Sequence, residues 1–291
     1  MLFNSDYRKL LRGKSNSCFG VGFTLIELLV VISIIGLVLS IMLPALNRAK
    51  SNARRAACMS NLRQLGFAFL LYAMDFDDYA MPTYDGSDTY WWGRRLLADG
   101  IDPTKGFIWP YLKSELKTKS VYECPEQPYG SYGLQGKPAV EPDDQKWITS
   151  TYGYNGYYLC PPQSGWESII GFRPWQKITT IQNPGRVIAF ADTLIDLDVT
   201  GTGSIIKNTA LLDPPYWYER TGWEENLSPT TCFRHNETTN AVFVDGHCES
   251  MKLEDGKYTS PAAKIGSITA HNGPYYVPDY KSWPIKRRRR Q

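Results

Sequence analysis

Histidine is scarce in this chain: His235, His247 and His271 are the only three in 291 residues. No recognisable nucleophile motif accompanies them, so the acid–base and nucleophilic chemistry of most enzymes has little to draw on, and no catalytic residue is expected. A strong charge of either sign is also missing, with 32 lysines and arginines against 29 aspartates and glutamates. Such a balance gives no electrostatic reason to bind a polyanion, and no nucleic-acid partner is expected. Asp75, Asp77 and Asp78 are the densest acidic group, but they lack the spacing of a calcium loop and read as a solvated turn. No cofactor is expected.

What the chain does have is one long apolar run. Between Glu27 and Arg48 lie twenty residues without a charge. At about 1.5 Å of rise per residue they make a helix of roughly 30 Å, enough to cross the hydrocarbon core of a bilayer. The apolar region of a cleaved secretory signal is shorter, about 7–15 residues, and ends at a small-residue cleavage site. This run is longer and ends in Leu43-Pro44-Ala45-Leu46. Pro44 lacks an N–H and should kink the helix near the membrane edge. Glu27 is a costly residue inside such a segment and therefore a functional candidate. Basic residues flank both sides, Arg8, Lys9, Arg12 and Lys14 before the run and Arg48, Lys50, Arg54 and Arg55 after it, so charge alone leaves the orientation nearly tied.

The sequence around the start of the run breaks the tie. Gly22 followed by FTLIELLVVISIIGLV closely resembles the processing site of type IV prepilins and type II secretion pseudopilins. The resemblance implies that a prepilin peptidase cuts after Gly22 and methylates the new amine of Phe23. Glu27 is then the fifth mature residue and Pro44 the twenty-second, as in that family, and the Glu27 carboxylate would neutralise the Phe23 amine of a neighbouring subunit. It also implies a leader in the cytoplasm, a single pass through the inner membrane, and the bulk of the protein in the periplasm or at the cell surface. The domains expected are a leader over 1–22, a transmembrane and assembly helix over 23–47, and an outer globular domain over 48–291.

Removing residues 1–22 takes away four of the 32 basic and one of the 29 acidic residues, leaving 28 of each. The run Lys286-Arg-Arg-Arg-Arg290 is read as a solvated tail, since most such runs are. Cys18 also leaves, so Cys58, Cys124, Cys160, Cys232 and Cys248 remain, an odd number with at least one unpaired thiol. An oxidising compartment would allow two disulfides. Cys124 and Cys160 each precede proline in loop-like sequence where a staple would be useful, and are the favoured pair.

Beyond the membrane the helix continues in a different character. Cys58, Leu62, Leu65, Phe69, Tyr72 and Phe76 recur at alternating spacings of four and three, which puts them on one stripe facing a core and carries the helix to about residue 75. Residues 82–175 read as short strands between long loops, with Tyr90-Trp91-Trp92 and Thr151-Tyr-Gly-Tyr-Asn-Gly156 as aromatic landmarks that fill a core rather than form a platform. The Asn183-Pro184-Gly185 turn leads into an apolar strand at about 186–191. Two further strands flank Asp245-Gly246, a dipeptide suited to a type I′ hairpin turn.

His235, nine residues and then Asp245-Gly246 resembles a C-terminal signature of prepilin-like proteins of planctomycete and related bacteria, and Cys58-Met-Ser-Asn-Leu-Arg-Gln-Leu-Gly66 also looks like theirs. Cys232, His235, His247 and Cys248 offer the residue types of a zinc site. His247 and Cys248 are adjacent along a strand and point to opposite faces, so at most three of the four converge and no metal is expected there.

The fold expected is α+β and pilin-like, a long helix packed on an antiparallel sheet. The function expected is structural, a subunit polymerised with other pilin or pseudopilin subunits and anchored in inner-membrane lipid. The alternative is a membrane-tethered envelope module that captures extracellular polymer through its aromatic loops.

Overall fold

The computed structural model describes residues 24–96, 100–114, 117, 119–127, 133–134, 149–160, 175–198, 205–219 and 222–282. The expected leader, with Gly22 and Phe23, and the basic run at 286–290 lie outside them. Contacts divide the chain into two compact units, Met1–Arg48 and Ala49–Gln291.

Helix α1 (Leu25–Asp75) runs through 51 residues with Pro44 inside it. In its first part the large apolar side chains, among them Leu25, Ile26, Leu28, Ile32, Ile41 and Leu46, are all exposed. In its second part Cys58, Leu62, Leu65, Gly66, Ala68, Phe69, Tyr72 and Ala73 are buried, so the stripe expected from the four-three spacing forms one wall of a core. Phe76 departs from that expectation. It follows the helix end, is 49 % exposed and stacks on Tyr72 with ring centroids 4.2 Å apart. The helix stops because Asp77 and Asp78 turn left-handed, with φ of 51° and 65°, while the Asp78 N–H donates to the Ala73 carbonyl at 2.9 Å.

The other wall is a four-stranded antiparallel sheet. Its strands are β1 (Tyr152–Tyr154), β2 (Ile188–Asp192), β3 (Thr238–Phe243) and β4 (Cys248–Lys252), in spatial order β4-β3-β2-β1. Tyr154 lies opposite Phe190 and Val242 opposite Phe190 on the other side, so these three share a face under the period of two. That face meets α1: Phe69 is 5.9 Å from Tyr154 and 6.2 Å from Phe190 between ring centroids. Gly66 lets the two layers close, since a Cβ there would stand 2.6 Å from Val242 Cγ2. The architecture is α+β, a long N-terminal helix followed by mainly antiparallel strands.

Trp91 and Trp92 are buried, and Trp91 packs 5.1 Å from Phe190 while its indole N–H donates to the Ala210 carbonyl. Tyr152 and Tyr154 are wholly buried as well. These landmarks belong to the interior, and the strands around them are short, such as Thr89–Tyr90 and Gly93–Leu96.

The hairpin joining β3 to β4 differs from the turn expected. Gly246 has a φ of 88° but Asp245 does not have a positive φ, so a type I′ turn is ruled out. The Gly246 N–H donates to Phe243 and the Phe243 N–H to His247, which is a three-residue loop closed by a left-handed glycine. The extra residue brings Gly246 within reach of α1, where an added Cβ would stand 2.9 Å from Leu70 Cδ1.

The contact at Gly66 generates a prediction. Gly66→Val should destabilise the full-length protein by about 1–3 kcal/mol through overpacking, and Val242→Ala in the same chain should recover part of the loss. Urea unfolding in detergent of the two single variants and the double variant measures the coupling; additive losses would mean that the helix and sheet do not meet there.

Candidate functional site

Two places carry chemistry. The first is the start of α1. Thr24 precedes the helix, and its N–H and hydroxyl both donate to Glu27 Oε2, at 2.8 and 2.7 Å, while the Glu27 N–H donates back to Thr24 Oγ1 at 3.2 Å. This reciprocal pair is a capping box, which satisfies two of the donors that a helix start leaves open. The threonine-x-x-glutamate spacing announces it in the sequence, a signal masked when Glu27 is weighed only against the membrane. Pro44 sits on the same helix, within the exposed apolar stretch.

The second place is buried. The register that puts Phe190 and Tyr154 against Phe69 also puts Asp192 and Tyr152, two residues along each strand, on the face turned to α1. There Cys58, the first residue of the buried stripe, meets them. Cys58 Sγ donates to Asp192 Oδ1 at 3.3 Å. His235, in the turn that enters β3, holds Nε2 3.3 Å from Asp192 Oδ2 and 3.3 Å from Cys124 Sγ. Cys124, Cys58 and Asp192 are fully buried, and His235 is 1 % exposed. One donor atom from each of the four lies within 4.8 Å of the others, so the set could hold a metal ion.

The surroundings fix each member. Asn61 Nδ2 donates to the Glu123 carbonyl at 2.9 Å and Arg54 pairs with Glu126 at 3.3 Å, tying the Cys124 loop to α1. The Cys124 N–H donates to Thr151 Oγ1 at 2.7 Å. The Asn240 N–H donates to Asp192 Oδ2 at 2.8 Å. Arg234 places Nε 3.8 Å from Asp192 Oδ1 and donates from Nη2 to the carbonyls of Thr151 and Thr193 at 3.2 and 2.7 Å.

These charges move each other's protons. Burial alone would raise Asp192, but Arg234 and His235 hold it below the usual carboxylate range. Burial would likewise lower His235, and the Asp192 charge overrides it and lifts the imidazole to about 9. The Cys124 thiol, pushed up by burial, is brought down to about 6 by its hydrogen bond with Cys58, the charge of Arg234 and its hydrogen bond with His235.

The remaining candidates are elsewhere. The Cys124–Cys160 bridge favoured above is not formed: both are free thiols, Cys124 in the cluster and Cys160 buried at the C-terminal end of the short helix Gly156–Leu159. Cys232 is a free thiol buried with Leu194 and Ile265, and Cys248 is a half-buried free thiol at the start of β4, so neither joins His235. His247 pairs with Asp245 at 2.6 Å on the exposed hairpin tip and stacks on Phe243. His235 and Asp245-Gly246 thus stand at opposite ends of β3, and the nine residues between them are the strand with its entry and exit. Asn240 Nδ2 donates to the Arg55 carbonyl at 3.5 Å, and past the end of β3 the hairpin loop comes back to α1 at Leu70. Those two contact points on α1, Arg55 and Leu70, are about 22 Å apart along the helix at 1.5 Å per residue.

Residues 22–43 match the family described as the prokaryotic N-terminal methylation motif. The match coincides with the glycine-bounded start and exposed apolar stretch of α1, and it marks a prepilin-like precursor of the pilus or pseudopilus type with a single-pass membrane anchor. No curated protein and no solved structure matches the chain. Among the described residues α1 is the one helix long and apolar enough to span a membrane.

The cluster predicts a pH response. A histidine raised to about 9 contributes stability that is complete below about pH 6.5 and is lost as pH rises through 9. In chelator-treated protein Asp192→Asn should bring the His235 titration, followed by NMR, down toward or below 6.5, and should cost about 3–5 kcal/mol near neutral pH because two buried cations lose their counter-charge. An unchanged His235 titration would refute the pairing.

Proposed function

We propose that the protein is a structural subunit, cut after Gly22, methylated on the Phe23 amine and polymerised through the apolar part of α1 into a type IV pilus or a type II secretion pseudopilus. The observation that carries this reading is the coincidence of the methylation motif at residues 22–43 with large apolar side chains that stand exposed among the described residues. Side chains of this kind stay out of water in two stages, in lipid before assembly and among other subunits' helices after it. The leader is cytoplasmic and the second unit lies beyond the inner membrane; the partners are the prepilin peptidase and other pilin-type subunits.

Glu27 has two tasks in this scheme. Its carboxylate caps its own helix through Thr24. It also supplies the counter-charge for a Phe23 amine once water is gone, because an unpaired ammonium in an apolar filament core is strongly unfavourable.

Mass spectrometry of the native protein should find an N-terminus at Phe23 carrying a methyl group, and Gly22→Trp should leave the precursor uncut. A retained Met1 would refute the assignment. The two tasks of Glu27 separate by substitution. Glu27→Gln keeps an acceptor for the cap and removes the charge; Thr24→Ala removes a cap worth about 0.5–2 kcal/mol and leaves the charge. Both variants, and Glu27→Ala, should be inserted and cut, but only the two Glu27 variants should be depleted from sheared filaments. Normal filament yield from Glu27→Gln would show that the carboxylate acts as a cap alone.

A further inference from the structure

We propose that Cys58, Cys124, Asp192 and His235 form a structural zinc site that pins α1 to the sheet. Four separate pieces of chain, the helix, the loop at 119–127, the end of β2 and the entry to β3, each deliver one donor atom to one point in the interior. Two sulfurs, one imidazole nitrogen and one carboxylate oxygen are a donor set that zinc takes, whereas calcium and magnesium take oxygen alone.

The distances suit the ion. With Zn–S near 2.3 Å and Zn–N and Zn–O near 2.0–2.2 Å, the edges of a tetrahedron are about 3.3–3.8 Å. Cys124 Sγ to His235 Nε2 is 3.3 Å, and the Asp192 carboxylate stands 3.3 Å from Cys58 Sγ through Oδ1 and 3.3 Å from His235 Nε2 through Oδ2, so with one carboxylate oxygen as ligand two of the six edges are 3.3 Å, and none of the six exceeds 4.8 Å. Closing the widest of them takes side-chain shifts of about an ångström.

Charge points the same way. Two thiolates and a carboxylate around Zn²⁺ leave one negative charge, and the buried guanidinium of Arg234, 3.8 Å from Asp192 Oδ1, supplies the matching positive one. Arg234 is itself held by two backbone carbonyls and competes for none of the donor atoms on Cys58, Cys124 or His235 through those bonds. On binding, each protonated thiol releases its proton to water and a protonated imidazole does the same; no electrons move. With all four positions filled by protein and no solvent access, the site has no open position for a substrate, which makes it structural rather than catalytic.

The full-length protein, purified in detergent without chelator, is the material for the test. Elemental analysis should find about one zinc per chain, retained in Cys248→Ser and lost in the Cys58→Ser, Cys124→Ser double variant. X-ray absorption at the zinc edge should report two sulfur and two lighter ligands. Because the double variant could fail to fold, the unmodified protein is also stripped and refilled with cobalt(II), which should give the visible absorption of a tetrahedral thiolate complex, and refilling with zinc should raise the unfolding temperature in proportion to the logarithm of free zinc. Zinc in the purified protein no higher than in the double variant, a cobalt spectrum of octahedral oxygen ligation, or a Cys58–Cys124 disulfide found by peptide mapping would each overturn the proposal.

Discussion

The face of α1 that carries Cys58, Leu62, Leu65, Phe69 and Tyr72 is covered by the sheet, and its leucines and phenylalanine each gain about 1.5–3 kcal/mol on leaving water. Most of what surrounds that seam follows from the need to close it. Gly66 is small where Val242 presses in. Phe190 and Tyr154 project from neighbouring strands to the same side. The hairpin beyond β3 uses a left-handed glycine at the point where it would otherwise collide with Leu70.

The seam changes character along its length. Toward Phe69 it is aromatic and aliphatic, and one helical stretch away, at Cys58, the same face of the same sheet presents Asp192 and Asn240. Burying a carboxylate, a guanidinium and an imidazole there costs several kcal/mol per ion unless they compensate one another. Polar groups at this depth demand one arrangement of the helix on the sheet, since sliding α1 by a turn would leave Asp192 without Cys58 and set Leu62 or Arg54 in its place. An all-apolar seam would tolerate such a shift more readily.

The helix and its two characters were legible in the sequence because both are local signals, an uncharged run and a four-three spacing. The hairpin around Asp245-Gly246 was legible for the same reason, although the turn type was not: one extra residue in the loop depends on how close Leu70 comes, which no dipeptide encodes. Phe76 continued the spacing but fell past the point where Asp77 and Asp78 leave helical geometry. The buried cluster was not legible. His235 stood out, but its partners are Cys58, Cys124 and Asp192, which share no spacing with it and meet only through strand register and a loop tied down by Asn61 and Arg54. Reading for zinc near His235 led to Cys232, His247 and Cys248, neighbours in sequence that the fold separates. Choosing Cys124 and Cys160 for a disulfide failed similarly, because two loop cysteines before prolines say nothing about distance.

Leu65 and its neighbours on α1 are made well before Val242, which lies across from Gly66. At about 5–20 residues per second, the roughly 177 residues between Leu65 and Val242 take about 9–35 s to synthesise. Until residue 192 is made the inner stripe of α1 has neither β1 nor β2 to lie on, and until residue 243 it lacks β3, while hydrophobic collapse takes microseconds. The layout therefore leaves the nascent stripe of α1 without its full cover until β3 has been made.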